Sequence, residues 1–256
     1  MELTDTQSER DSRGWRINRV GIKNLLYPVI IDGTQTPAKF TLTADLAAEL
    51  RGTHMSRFVA FLQQYRVNIT PTRLVDMLKK IKTSLKSTEA HLEATFPFFI
   101  EKKAPVTEVL GFIAYEGAWN ITLRDRTADV ITTVKVPIGT LCPCSKSISE
   151  RGAHNQRGQV TLSIRAATPP TLSRLVAIVE SSASCELYSV LKRPDEKFVT
   201  ERAYDNPTFV EDVARNLAVR ISKLAGAKWF RIEVENYESI HNHDACAVIE
   251  ADLPSR

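Results

Sequence analysis

The segment Thr70-Pro-Thr-Arg-Leu-Val-Asp-Met-Leu-Lys-Lys-Ile-Lys-Thr-Ser-Leu85, followed closely by Glu89-Ala-His-Leu-Glu-Ala-Thr-Phe96-Pro-Phe-Phe-Ile100, decides the fold class. In the first stretch Leu74, Met77, Leu78, Ile81 and Leu85 recur at helical spacing, and Thr70-Pro71-Thr72 supplies a helix start. In the second the helical period is lost and a strand is predicted over Glu89–Lys102. Working outward, Met55, Phe58, Val59 and Leu62 predict a preceding helix. Before that helix, Arg16–Leu26 (Ile17, Val20 and Ile22 as apolar beats), Pro28–Ile31 and Phe40–Leu46 predict strands across a Gly33/Pro37 turn region. Val106–Trp119 predicts one more strand after Lys103-Ala-Pro105, so the first half runs strand, strand, helix, helix, strand, strand.

The second half repeats that order. Ile121–Val136 and Gln159–Ala166 (Val160, Leu162 and Ile164 on one face) predict strands, and a helix beginning near Thr171 carries Leu172, Leu175, Val176 and Val179 on one stripe. A longer helix is predicted over Pro207–Leu224, with Asn206 as N-cap, Pro207 at the first helical position and Gly226 past the end. Trp229–Asn236 and Ala245–Leu253 close the chain as strands. The plan is α+β: two tandem ββααββ modules, residues 15–120 and 121–256, behind a polar leader over residues 1–14 expected to be disordered. Antiparallel sheets backed by helix pairs leave open edges, so oligomerisation is expected.

Composition bounds the function. The 256 residues are 43% hydrophobic and carry a net charge of +4, spread without a basic block, which disfavours nucleic acid as a partner. No apolar run approaches the roughly 20 residues of a membrane helix, so no membrane association is expected. The polar N-terminus reads as no export signal, and four cysteines are too few for a disulfide framework; a cytoplasmic protein is expected. Walker, G-x-G-x-x-G and G-x-S-x-G motifs are absent from the sequence, which argues against nucleotide-triphosphate motors, Rossmann dehydrogenases and serine hydrolases.

Residues with chemical capacity gather in the linkers of the second half. The connection Gly139–Gly158 is too long for a plain hairpin and contains Cys142, Cys144 and His154. Two cysteines two apart point the same way in extended chain; the pair reads either as metal-binding thiols, with His154 as a nitrogen ligand, or as buried small hydrophobes. Lys192-Arg-Pro-Asp-Glu196-Lys197 reads as a charged loop or as a site in which Asp195 or Glu196 gives a carboxylate to a metal and Lys192, Arg193 and Lys197 hold phosphate oxygens. Glu211 suits either a helix dipole or the N–H edge of a heterocycle. His241 and His243, beside Glu238 and Asp244, can ligate metal or move protons. Arg51-Gly-Thr-His54-Met-Ser-Arg57-Phe58 reads as a turn entering a helix whose exposed amides attract anions.

Together with Val20-Gly-Ile-Lys-Asn-Leu25, Leu141-Cys-Pro-Cys-Ser-Lys146, Tyr204-Asp-Asn-Pro-Thr-Phe-Val-Glu-Asp212 and Glu238-Ser-Ile-His-Asn-His243, these motifs resemble GTP cyclohydrolase type IB, in order, from about residue 15 to the C-terminus. The resemblance implies the tunnelling fold, homotetramers with active sites at subunit contacts, and hydrolysis of GTP at C8 to 7,8-dihydroneopterin triphosphate and formate, a step toward folate. It implies one divalent cation (Mn²⁺, Zn²⁺ or Fe²⁺) on Cys142, His154 and Glu196, with water or a histidine completing the shell, and no nicotinamide or flavin. It further implies Cys144 as a second functional cysteine, Glu211 as the anchor of the purine, His241 and His243 as proton-transfer or substrate-contacting groups, and Lys192, Arg193, Lys197 and Arg57 of a neighbouring subunit on the triphosphate. The competing resemblance is to another tunnelling-fold enzyme, the NADPH-consuming nitrile reductase of queuosine synthesis; from a different class, a zinc-stabilised scaffold would bind no GTP.

Overall fold

The computed structural model describes residues 5–254, and the chain divides into two compact units, Met1–Pro97 with Ala118–Ile131 and Phe98–Gly117 with Thr132–Arg256. The division cuts through strands rather than between the expected modules at residue 120. β3 (Glu89–Lys103), β4 (Leu110–Arg124) and β5 (Thr127–Leu141) are each 15 residues long, roughly 50 Å of extended chain, long enough for one strand to serve two cores.

In the first unit β1 (Ile17–Ile31) pairs antiparallel with β2 (Thr34–Leu46), and β2 with β3, in the order β1-β2-β3-β4-β5. β2 shows why it is a strand: Ala38, Phe40, Leu42 and Ala44 alternate into the core. α1 (Met55–Tyr65) buries Phe58 and Leu62, and α2 (Pro71–Leu85) buries Leu74, Met77, Leu78 and Ile81, the stripe read from sequence. Thr70 caps α2 by accepting from the Arg73 amide, with Pro71 just inside the helix. Phe96 packs on Trp119 with ring centroids 4.4 Å apart.

One buried carboxylate ties this unit together. Asp45 accepts from the amides of Thr88 (2.8 Å) and Glu89 (2.6 Å), the Thr88 hydroxyl (3.0 Å) and Arg16 (2.9 Å), joining the end of β2 to the start of β3. Burial pushes its pKa up, yet the Glu89 amide and the other donors outweigh it and hold the carboxyl below its ordinary value.

In the second unit the strand order is β3-β4-β5-β6-β8-β9, with β6 (Asn155–Ala166), β8 (Ala227–Asn236) and β9 (Ala245–Asp252), while β7 (Cys185–Glu186) pairs with β5. α4 (Leu172–Glu180) and α6 (Val210–Ser222) pack on β6 and β8, burying Leu175, Val179, Val213, Leu217 and Ile221 on the helices and Leu162 and Ile232 on the strands. No helix among the described residues is long and apolar enough to cross a membrane.

Four readings of the sequence are corrected. Residues 5–14, expected to be disordered, include a single helical turn at Thr6–Ser8 and pair with the segment after β2: Asp11 N donates to Glu49 O (2.9 Å) and Arg51 N to Glu9 O (3.0 Å). Backbone pairing, which composition does not report, holds them; residues 1–4 of the leader lie outside the described residues. The strand break expected near residue 120 is absent, because the turn falls at Asp125, which takes a positive φ of 49°. Lys192–Lys197 is no loop but the start of α5 (Arg193–Asp205), a helix that buries only Asp195 and Ala203 and so lacks an apolar stripe. The last helix starts at Val210 and not at Pro207, because Asn206 spends its side-chain amide on Ala183 O (2.9 Å) and Ser184 O (3.2 Å), while Asp212 caps the helix by accepting from Phe209 N (3.0 Å).

Asp45→Ala leaves the Thr88 and Glu89 amides without their acceptor, and urea unfolding is expected to show a loss of roughly 1–3 kcal/mol. Because the folded carboxyl titrates below its unfolded value of about 3.9, its contribution is complete above that pH and is lost as the pH falls. The gap between wild type and variant narrows below about pH 4; a gap independent of pH rules out the charged form as its source.

Candidate active site

The linker between β5 and β6 closes on itself. Pro143 starts a short helix, α3 (Pro143–Ile148), and Cys142 is its N-cap, its Sγ accepting from the Ser145 amide at 3.4 Å. Cys142 N donates to His154 O (3.1 Å), and Ser145 Oγ accepts from His154 N (3.2 Å) while donating to Cys142 O (3.2 Å). Residues twelve apart in sequence are thereby held as backbone neighbours. The expectation that Cys142 and Cys144 share a strand face is not met: Pro143 turns the chain into α3, leaving Cys142 half-buried and Cys144 exposed.

His154 sits at the mouth of β6, and the hairpin 237–244 folds beside it. Gly158 of β6 pairs with Asn236 of β8, and Tyr237 N donates to Arg157 O at 2.9 Å, so the hairpin leaves the sheet next to His154. His154 Nδ1 lies 3.0 Å from Gln156 Oε1 and 3.3 Å from Ser239 Oγ. Gln156 Nε2 donates to Glu238 Oε1 at 3.4 Å, and the other Glu238 oxygen lies 3.6 Å from His241 Nδ1. The His241 and His243 rings are 5.2 Å apart, and both are exposed. Cys142, His154, His241 and His243 are thus linked by one run of contacts through Gln156 and Glu238. The last two are functional candidates that the site assignment from sequence passed over. The signal for Gln156 was present: two residues beyond His154 on a strand, it shares that residue's face.

Glu196 is elsewhere. Among the described residues no group of three or more His, Cys, Asp and Glu side chains converges as a metal site, so one chain does not bring Cys142, His154 and Glu196 together. Glu196 lies on α5, at the opposite end from that helix's contact with α3. Lys146 of α3 meets its far end, donating to the Tyr204 carbonyl and lying 4.2 Å from the Tyr204 ring centre, whereas Glu196 is exposed in its first turn, about 12 Å away along the axis. Asp195 and Glu196 differ in burial. Asp195 is fully buried and accepts from Val106 N (2.8 Å), Thr107 N (2.9 Å), Thr107 Oγ1 (2.6 Å) and Lys192 N (2.9 Å). Burial pushes its pKa up, but these donors prevail and hold the carboxyl well below the ordinary carboxylate range. Asp195 docks the β3–β4 turn, and Glu196 is the carboxylate left facing out.

Of the predicted anion-binding residues, Lys192 and Arg193 are exposed at the start of α5, and Lys197 pairs with Glu201 at 2.7 Å. Glu211 is exposed in the first turn of α6, beside the capping Asp212. Arg57 belongs to the first unit, where it donates to Ser84 O (2.9 Å) at the wall of a cavity of about 180 Å³ also lined by Thr53, His54 and Lys86.

The donors at Cys142 and His154 fit a borderline divalent cation. A cysteine sulfur and an imidazole are brought to one loop, and engagement of Nδ1 leaves Nε2 of His154 as the donor, the usual arrangement of a metal-bound histidine.

Two ββααββ modules of antiparallel sheet backed by helices, the second with α3 and α5 added, define a tunnelling-fold protein. Uricase from Arthrobacter globiformis superposes with a TM-score of 0.54 at 9% identity over 92% of this chain and 93% of its own. Urate oxidase from Bacillus subtilis 168 does so with 0.53 at 7% identity over 91% and 98%. At such identity the likeness concerns the fold alone. The chain belongs to the type I GTP cyclohydrolase FolE2 family, whose profile matches residues 3–247. GTP cyclohydrolase FolE2 of Akkermansia muciniphila is 47% identical with 100% of both chains covered, and that of Desulfosudis oleivorans is 48% identical over 96% of this chain and 97% of its own.

An alanine methyl at Gly158 would lie 2.6 Å from both Asn236 Oδ1 and the Glu235 carbonyl oxygen, and the latter, as backbone, cannot move aside. Gly158→Ala is expected to cost roughly 1–3 kcal/mol in urea unfolding and to speed amide exchange in the 237–244 hairpin. Unchanged exchange there would separate the hairpin from the strand pairing.

Proposed function

We propose that the protein is a GTP cyclohydrolase that hydrolyses GTP at C8, releasing formate and 7,8-dihydroneopterin triphosphate, and that it works as a cytoplasmic homo-oligomer, a homotetramer by resemblance. The observation that carries this reading is the full-length family match together with the run of contacts from the Cys142 loop to His243. Open strands β1 and β9 at the two sheet ends support self-association.

Cys142 and His154 would hold one divalent cation (Mn²⁺, Zn²⁺ or Fe²⁺), with Glu196 as the carboxylate ligand, delivered from a second copy or by movement of α5. A cation bound there supplies Lewis acidity that makes water nucleophilic near neutral pH. Glu211 anchors the N–H edge of guanine, and Lys192, Arg193 and Lys197 hold triphosphate oxygens, with Arg57 of a neighbouring copy. Opening the five-membered ring requires protons at nitrogen. His241 and His243 deliver them from the exposed hairpin, and Cys144, outside the cap that engages Cys142, is the other donor. No step changes the oxidation state of the purine overall, so neither nicotinamide nor flavin is used; the nitrile reductase alternative would consume NADPH.

Mixing the purified protein with GTP and Mn²⁺ is expected to yield formate and, after oxidation, pterin fluorescence; NADPH consumption without formate would favour the reductase instead. Activity lost on chelation is expected to return with Mn²⁺ at least as fully as with Zn²⁺, and rescue by zinc alone would contradict the mixed sulfur, nitrogen and oxygen ligand set. Cys142→Ala is expected to lose metal and turnover together, whereas Cys144→Ala keeps its metal and loses most turnover, as read by emission spectroscopy beside formate release. Glu196→Gln is expected to lower metal content; full retention in that variant would remove Glu196 from the ligand set.

A further inference from the structure

The side-chain amide of Gln156 stands between two groups that make opposite demands on it. Glu238 presents carboxylate oxygen, which only accepts, so the amide nitrogen must face it; Nε2 lies 3.4 Å from Oε1 of that residue. That orientation leaves the amide oxygen toward His154, 3.0 Å from Nδ1, where it accepts only if Nδ1 carries the hydrogen. The lone pair of the imidazole is then on Nε2. One amide therefore passes a constraint from the closing hairpin, where Glu238 resides, to the choice of nitrogen that His154 can offer. The backbone supports the span: Tyr237 N bonded to Arg157 O, and Gly158 paired with Asn236, hold β6 and the root of the hairpin at a fixed separation on either side of it.

We propose that Gln156 is a positioning residue that sets the tautomer and ring orientation of His154 and ties that ring to Glu238, so that the grip of the site on a divalent cation depends on the 237–244 hairpin through this amide. The inference rests on the reading of His154 as a metal ligand. Groups that hold the second nitrogen of a metal-bound imidazole are typically worth 10- to 100-fold in metal affinity.

The test uses the full-length protein and measures Mn²⁺ and Zn²⁺ dissociation constants by competition with a chromogenic chelator, alongside thermal unfolding and hydrogen exchange of residues 237–244. Gln156→Leu removes both contacts and is expected to weaken binding by about 10- to 100-fold. Gln156→Glu keeps an acceptor for Nδ1 but sets a carboxylate against Glu238. It is expected to hold metal within a few-fold of wild type while exchange in the hairpin accelerates. Equal weakening in the two variants, tracking their loss of thermal stability, would make Gln156 merely structural and overturn the proposal. So would wild-type affinity in Gln156→Leu when His154→Ala has lost the metal. Wild-type affinity in His154→Ala would instead overturn the assignment of His154 on which the inference stands.

Discussion

Most of the candidate site hangs on the antiparallel pairing of β6 with β8, and this pairing passes through a position where only hydrogen fits. Gly158 faces Asn236 so closely that a methyl group would strike both its side chain and the neighbouring carbonyl. The close approach places the mouth of β6, with His154 and Gln156, against the root of the hairpin that carries Glu238, His241 and His243. The other half of the site is closed by a single backbone bond from Cys142 to His154, with Ser145 bridging the two by its hydroxyl and amide. Neither constraint involves much apolar area. They are local hydrogen bonds made specific by a sheet whose hydrophobic face, packed under α4 and α6, sets the register.

Adjacent carboxylates show how tertiary contacts divide labour. Asp195 and Glu196 are chemically alike and share a helical turn, yet one accepts four hydrogen bonds in the interior and the other faces solvent. The buried one is consumed in docking the β3–β4 turn onto α5, which in turn fixes where Lys192, Arg193 and Glu196 are presented. Asp212 and Glu211 repeat the division on α6, one turned back to cap the helix and one left outward. In both pairs the residue with chemical freedom is the one that structure has left unoccupied.

The likeness to urate oxidases at under 10% identity is a statement about packing. Alternating strands and two-helix layers tolerate wholesale replacement of side chains provided the pattern and volume persist. The linker that carries Cys142 and His154 and the helix starts that carry Glu196 and Glu211 are not constrained in this way, which is why membership of the cyclohydrolase family rests on full-length sequence identity and not on the shape of the fold.

The amino-acid sequence by itself determined the class of fold and the family. Period-two and period-3.6 patterns are short-range properties, so Leu74–Ile81, Val160–Ile164 and Leu172–Val179 declared their elements without reference to anything distant. The motifs were legible for the same reason, and Cys142, His154, His241 and His243 were found as types at spacings. Only the tertiary structure decided which polar groups meet. A helix such as α5 with almost no buried face has no periodic signature, and a capping Asn206 looks the same whether it starts one helix or closes another. Gln156 and Glu238, 82 residues apart, are neighbours because β6 and β8 pair, and Glu196 stands in the first turn of α5, whose far end meets α3. Contacts of that range depend on sheet register and helix placement, which belong to the whole chain and to no segment of it.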